Sequence, residues 1–155
     1  MRGLLPLALA AWLLAGPAAA GEEAVDLARW ERLSKAGLGQ AAEHRYDEAA
    51  ASFRAAYKLA GGLREVDPRR AATANNLGFV LHAQGRAAEA LPLYEEALKV
   101  RKAKLGADHP HTLMSRNNLA NSLQWAGRVD EALRLHQENL KLFERKFGPD
   151  HPDTL

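Results

Sequence analysis

Apolar residues recur at helical spacing through two long stretches of this chain. Leu77 and Leu81 stand four apart, as do Ala90 and Tyr94, and Leu91 and Leu98 are one heptad apart. Such spacing sets side chains on one face of a helix. Gln84-Gly85-Arg86 interrupts the pattern as a short turn, with its glycine where a helix ends. The pattern predicts one helix over about 69–84 and a second over about 88–105. It then repeats, predicting a further pair over about 111–126 and 130–147.

The repetition holds one offset. Pro68, Pro110 and Pro152 are spaced 42 apart (110−68, 152−110). Asn75-Asn76-Leu77 returns as Asn117-Asn118-Leu119, Gly85-Arg86 as Gly127-Arg128, and Glu89–Leu91 as Glu131–Leu133. Gly78 and Ala90 are 12 apart, as are Ala120 and Ala132. Two closely packed helices call for small side chains where their axes approach. An upstream copy is weaker. Gly37 and Ala49 keep the spacing of 12, Phe53 follows four later, and "HRYDEA" at His44–Ala49 parallels "GRAAEA" at Gly85–Ala90. Ala36 and Gln40 there replace leucines, and Gly39, Gly61 and Gly62 loosen the pattern, as suits an end cap.

Here the residues resemble a family. Leu77-Gly78-x2-Leu81 followed by Ala90-x3-Tyr94, and Leu119-Ala120-x2-Leu123 followed by Ala132-x3-His136, resemble the tetratricopeptide repeat. The long second helices, with N-N-L and G-R-x-x-E-A, resemble its kinesin-light-chain-like, 42-residue subclass, common in bacterial proteins. The fold implied is all-α: antiparallel helix-turn-helix repeats stacked as a right-handed α-solenoid. The organisation read from the sequence is a signal peptide at 1–20, a degenerate first repeat at 21–66, repeats at 67–108 and 109–149, and the start of a truncated further repeat at 150–155.

The recurring Asp-His-Pro, at Asp108–Pro110 and Asp150–Pro152, then reads as punctuation. Gly106 ends a helix, Asp108 is expected to accept from the free N–H groups of the next, and Pro110 suits its first turn. A metal site of Asp108, His109 and His111 is the competing reading. In the second copy Asp153 replaces the second histidine, so no ligand set repeats.

The first twenty residues differ in kind. Arg2 precedes the apolar run Leu4–Ala15, Gly16-Pro17 breaks it, and Ala18-Ala19-Ala20 offers a signal-peptidase site. This predicts export to the periplasm or outside the cell, with cleavage before Gly21 and no stable membrane insertion afterwards. The alternative is an uncleaved anchor. The chain has no cysteine, which removes disulfides, thiol nucleophiles and thiolate metal sites. Its formal charge is +2, from 21 basic and 19 acidic residues, without the basic excess that nucleic-acid binding needs.

No Ser–His–Asp grouping, phosphate-cradling glycine loop or H-E-x-x-H motif occurs among the six histidines. No enzyme activity, cofactor or metal is expected. The helical phase turns leucines 77, 81, 119 and 123 and small residues 78 and 120 toward the second helix of each unit. Asn76, Phe79, His82, Asn118, Asn121, Gln124 and Trp125 are left on the other face. The resemblance implies that this face lines a concave groove holding an extended peptide or a partner's helix. Asparagine amides can pair with any peptide backbone, and Phe79 and Trp125 can take apolar side chains. The Asn-Asn pairs serve equally well as residues bonding inside the array. The function expected is an exported scaffold binding a protein or peptide. The alternative is the sensing or oligomerising front of a longer enzyme, such as a caspase-like peptidase. Leu140, Leu142, Phe143 and Phe147 on the last helix predict self-association through it, or fraying there.

Overall fold

The computed structural model describes residues 26–148. The proposed signal peptide and the segment 150–155 lie outside the described residues. Six helices follow in order: α1 Leu27–Ala42, α2 Tyr46–Ala60, α3 Pro68–Ala83, α4 Ala87–Leu105, α5 Pro110–Trp125 and α6 Val129–Phe147. They pair as α1–α2, α3–α4 and α5–α6, and successive pairs stack as a right-handed, all-α solenoid.

The first helices of the second and third units begin on proline, one residue earlier than the apolar pattern predicts. Proline lacks an N–H that the first turn could not use anyway. Asp67 caps α3, accepting from the Arg69 N–H at 2.8 Å. In α5 the cap is His109, whose Nδ1 accepts from the His111 N–H at 3.2 Å, and not Asp108 as expected. The cap is the residue touching the proline, and the repeat offset carries Asp67 onto His109 (67+42). The main-chain oxygen of Asp108 instead accepts from Lys146 Nζ at 2.7 Å.

Each unit turns in the same way. His44, Gly85 and Gly127 take positive φ of 58°, 77° and 80°. The next N–H then bonds back into the helix: Arg45 to the Gln40 carbonyl at 2.9 Å, Arg86 to Leu81 at 2.9 Å, Arg128 to Leu123 at 2.8 Å. This is the six-residue closure that a left-handed residue permits. Histidine there costs about 1–2 kcal/mol that glycine does not. His44→Gly should therefore raise stability by about 1 kcal/mol, read as a higher urea midpoint. A lower midpoint would show that the 2.9 Å contact between the His44 ring and the Tyr46 hydroxyl outweighs the strain. Each turn also carries an exposed ion pair, Arg45–Glu48, Arg86–Glu89 and Arg128–Glu131, at 2.7, 2.6 and 2.6 Å. Exposed pairs add little energy, but they repeat the same geometry at the entry to each second helix.

The small residue on each first helix has a more specific cause than approach of the axes. A ring from the second helix lies across it. A Cβ built on Gly37 would stand 2.8 Å from Phe53, and one on Gly78 would stand 3.0 Å from Tyr94. The third unit has Ala120 with His136, a smaller and only half-buried ring. One apolar core threads the units, joining Ala49, Phe53, Leu77, Val80, Leu81, Leu91, Tyr94, Leu119, Leu123 and Ala132. Trp30 anchors α1 over Ala56, Ala60 and Leu63. Its indole N–H donates to Thr73 Oγ1 at 3.0 Å.

The third unit is more polar inside. In the second unit Ala71, Ala74, Ala97 and Val100 form an apolar cluster between α3 and α4. Arg116 and Asn139 occupy the places of Ala74 and Ala97 (74+42, 97+42). Asn139 Nδ2 donates to the Leu113 carbonyl at 3.1 Å, and Arg116 Nη1 to Glu138 at 2.9 Å. Arg116 Nε, Asn139 Oδ1 and Thr112 Oγ1 are buried without a protein partner. The glutamate keeps its place in both units (96+42). Glu96 takes Arg70 together with the Tyr57 hydroxyl, whereas Glu138 takes an arginine one helical turn further along.

First helices touch across units, α1 against α3 and α3 against α5, while the backbones of α2, α4 and α6 stay apart from one another. The first-helix side is therefore the tight, concave side of the stack.

Candidate partner-binding groove

The residues that the sequence leaves off the leucine face of α3 and α5 differ in exposure. Phe79 is 43% exposed and Trp125 76% exposed. Asn76, His82, Asn118 and Asn121 are half-buried, and Gln124 is exposed.

The structure joins part of this set across the two units. The His82 ring meets the Trp125 ring edge-to-face, with centroids 6.0 Å apart and planes at 90°. His82 Nδ1 also lies 3.0 Å from Ser122 Oγ. Burial lowers the His82 pKa from its ordinary 6.5, which favours the neutral ring. Asn118 is partly committed to the array, since its Nδ2 donates to Asn75 Oδ1 at 3.3 Å. Its own oxygen and second amide hydrogen bond no other side chain among the described residues. Asn76 and Asn121 bond no other side chain among the described residues, so their amides offer both donors and an acceptor.

Sequence reasoning missed what lies beneath. Asn75, the first of its Asn-Asn pair, is buried and accepts from Asn118, from Ser115 Oγ at 3.4 Å and from Arg101 Nη1 at 3.3 Å. Arg101 also donates to Ser115 Oγ at 2.6 Å and to the His111 carbonyl at 3.1 Å. This guanidinium is 7% exposed and bonds no carboxylate among the described residues, and burial pushes its pKa down to about 10. The knot ties α3, α4 and α5 together and fixes the orientation of Asn118. Its signal in the sequence is a break in the period, because 101+42 is Phe143.

His109 and His111 stack at 5.3 Å at the start of α5. Burial is the main cause lowering both pKa values, with nearby cations adding to it: Lys146 and Arg101 on His109, Arg101 on His111. Among the described residues no three His, Asp or Glu side chains gather as metal ligands. No described helix is long and apolar enough to cross a membrane.

The family description "Tetratricopeptide repeat" matches this sequence over residues 70–111 and 112–153. No curated protein matches it. Among solved structures, a Podosopora anserina putative kinesin light chain with nearly identical TPR-like repeats superposes with a TM-score of 0.72 at 24% identity, covering 81% of this chain and 60% of its own. The TPR domain of Arabidopsis FLU superposes with a TM-score of 0.68 at 20% identity, covering 77% of this chain and 98% of its own. BtubC (BKLC) from P. vanneervenii gives 0.64 at 24% identity, over 80% of this chain and 49% of its own. The chain thus spans about 60% of the first of these neighbours, and the likeness shows the fold.

Proposed function

The chain belongs to the tetratricopeptide-repeat family, and from that premise we propose that it is an exported scaffold binding a partner protein or peptide along the concave face of α3 and α5. Repeats of this family typically mediate protein–protein interaction and are generally not enzymes. The observation that carries the reading is the lining of that face: the free amides of Asn76 and Asn121 beside exposed Phe79 and Trp125. Amides hold the backbone of an extended chain whatever its side chains, and aromatic rings supply the apolar anchors. Export rests on the leader of residues 1–20.

The test is affinity capture from the exported fraction, where the chain itself should begin at Gly21. Trp125→Ala should weaken capture at least about tenfold, as loss of a central aromatic anchor does. Asn76→Ala with Asn121→Ala should do the same. Arg86→Ala, on the turn, should change nothing. If both groove variants retain the same captured proteins as the parent, the groove reading is wrong.

A further inference from the structure

The caps of α3 and α5 differ in chemistry. Asp67 opens α3 with a carboxylate, a group that keeps its charge down to about pH 4. His109, at the same place in the repeat (67+42), opens α5 with its Nδ1, 3.2 Å from the His111 N–H. A main-chain N–H can only donate, so Nδ1 carries its lone pair there and the ring proton sits on Nε2. The lone pair that accepts is the one that takes up a proton in acid. Protonation turns the acceptor into a second donor and sets a positive charge at the positive end of a helix.

The surroundings oppose that charge. From α4, Arg101 donates to the His111 carbonyl at 3.1 Å and bonds no carboxylate among the described residues. From α6, Lys146 Nζ reaches the Asp108 carbonyl at 2.7 Å, and Arg145 lines a depression with Ala107, Asp108 and Leu142. The His111 ring lies 5.3 Å from the His109 ring. From α3 comes only uncharged Asn75, through Arg101. Asp108 is the one carboxylate acting on His109. Burial and then Lys146 lower the His109 pKa from 6.5; Asp108 works against them and Arg101 with them. A ring whose pKa is lower in the folded chain than in the unfolded one stabilises the fold at neutral pH. That contribution is lost as pH falls below about 6.5.

We propose that the start of α5 is an acid-released latch: protonation of His109 frees the first turn of α5, and with it the His111 carbonyl from Arg101, while the start of α3 stays closed. Arg101 also holds Ser115 and Asn75, and Asn75 accepts from Asn118. Acid therefore loosens the seat of Asn118. Only the bearing of that last step on a ligand rests on the groove reading; the latch itself is tested without one.

Amide exchange of the whole chain reads the latch, with protection factors removing the intrinsic effect of pH on exchange. The Thr112 and Leu113 N–H groups bond to the His109 carbonyl at 2.8 and 3.0 Å, and those of Arg70 and Ala71 to the Asp67 carbonyl at 3.1 and 3.4 Å. Between about pH 7.5 and about pH 5, protection of Thr112 and Leu113 should fall about fivefold, as loss of a helix cap does. Protection of Arg70 and Ala71 should fall less than about twofold, since their cap is a carboxylate. His109→Asp, which copies the α3 cap, should abolish the fall. His111→Gln, which keeps the main-chain donor, should retain it. No fall in the parent, an equal fall at Ala71, an undiminished fall in His109→Asp, or its loss in His111→Gln would each overturn the proposal.

Discussion

Tyr94→Ala is expected to cost about 3–5 kcal/mol, the range for removing a fully buried aromatic side chain. For a domain of this size that lowers the melting temperature by about 10–20 °C. Tyr94 is 2% exposed and sits in the central core cluster, so no neighbour can collapse into the space without moving α3. The ring lies over Gly78, where an added Cβ would meet it at 3.0 Å. Gly78→Ala alone should therefore cost about 1–3 kcal/mol through overpacking. The informative variant combines Gly78→Ala with Tyr94→His, which reproduces Ala120 and His136 of the next unit. Its loss should be smaller than the sum of the two single losses by about 1 kcal/mol or more, since the smaller ring leaves room for the methyl group. Thermal unfolding of the four proteins checks this. Simple additivity would mean that the ring and the glycine are not coupled, and the reason given for small residues at 37, 78 and 120 would fall.

The second large effect is local. Amide protons of α6 should exchange at least about 30-fold faster than those of α3 and α4, a difference of about 2 kcal/mol in opening free energy. Two features of the α5–α6 unit act together. Buried Arg116 Nε, Asn139 Oδ1 and Thr112 Oγ1 lack protein partners, and such atoms cost about 1–3 kcal/mol each. Val129, Leu133 and Leu140 meanwhile gain little from burial. Native-state hydrogen exchange measures the difference directly. Equal protection across residues 68–105 and 129–147 would show that the polar interior of the third unit carries no penalty.

Much of the architecture is legible because it depends on local periodicity. Leucines at 77, 81, 119 and 123 announce which way each first helix faces, and the structure buries all four. The same phase leaves Phe79 and Trp125 exposed on the opposite side. The cap at His109 was hidden by chemistry: aspartate is the better-known cap, and Asp108 stood next to it. The offset from Asp67 would have corrected the choice. The Asn75–Arg101–Ser115–Asn118 knot was less accessible, because it joins three helices through side chains far apart in sequence. Periodicity says which face a residue occupies, but not which of two adjacent asparagines turns inward. That distinction decides the groove. Asn75 belongs to the frame, Asn118 bonds into the frame from the exposed face, and Asn76 and Asn121 bond no other side chain among the described residues.

The pairing of first helices across units, through Trp30 with Thr73, Asn75 with Asn118 and His82 with Ser122, has a mechanical consequence. The backbones on the opposite side do not meet. The stack is thus hinged along its inner edge, and side chains alone, as in the Tyr57–Glu96 bond from α2 to α4, span its outer one. Bending spreads or closes the outer helices while the inner ones keep nearly constant separation. A ligand held in the proposed groove along α3 and α5 would rest on the stiff edge and meet the same spacing of amides whatever the curvature of the whole. Elastic compliance and ligand geometry are assigned to opposite edges of one short array.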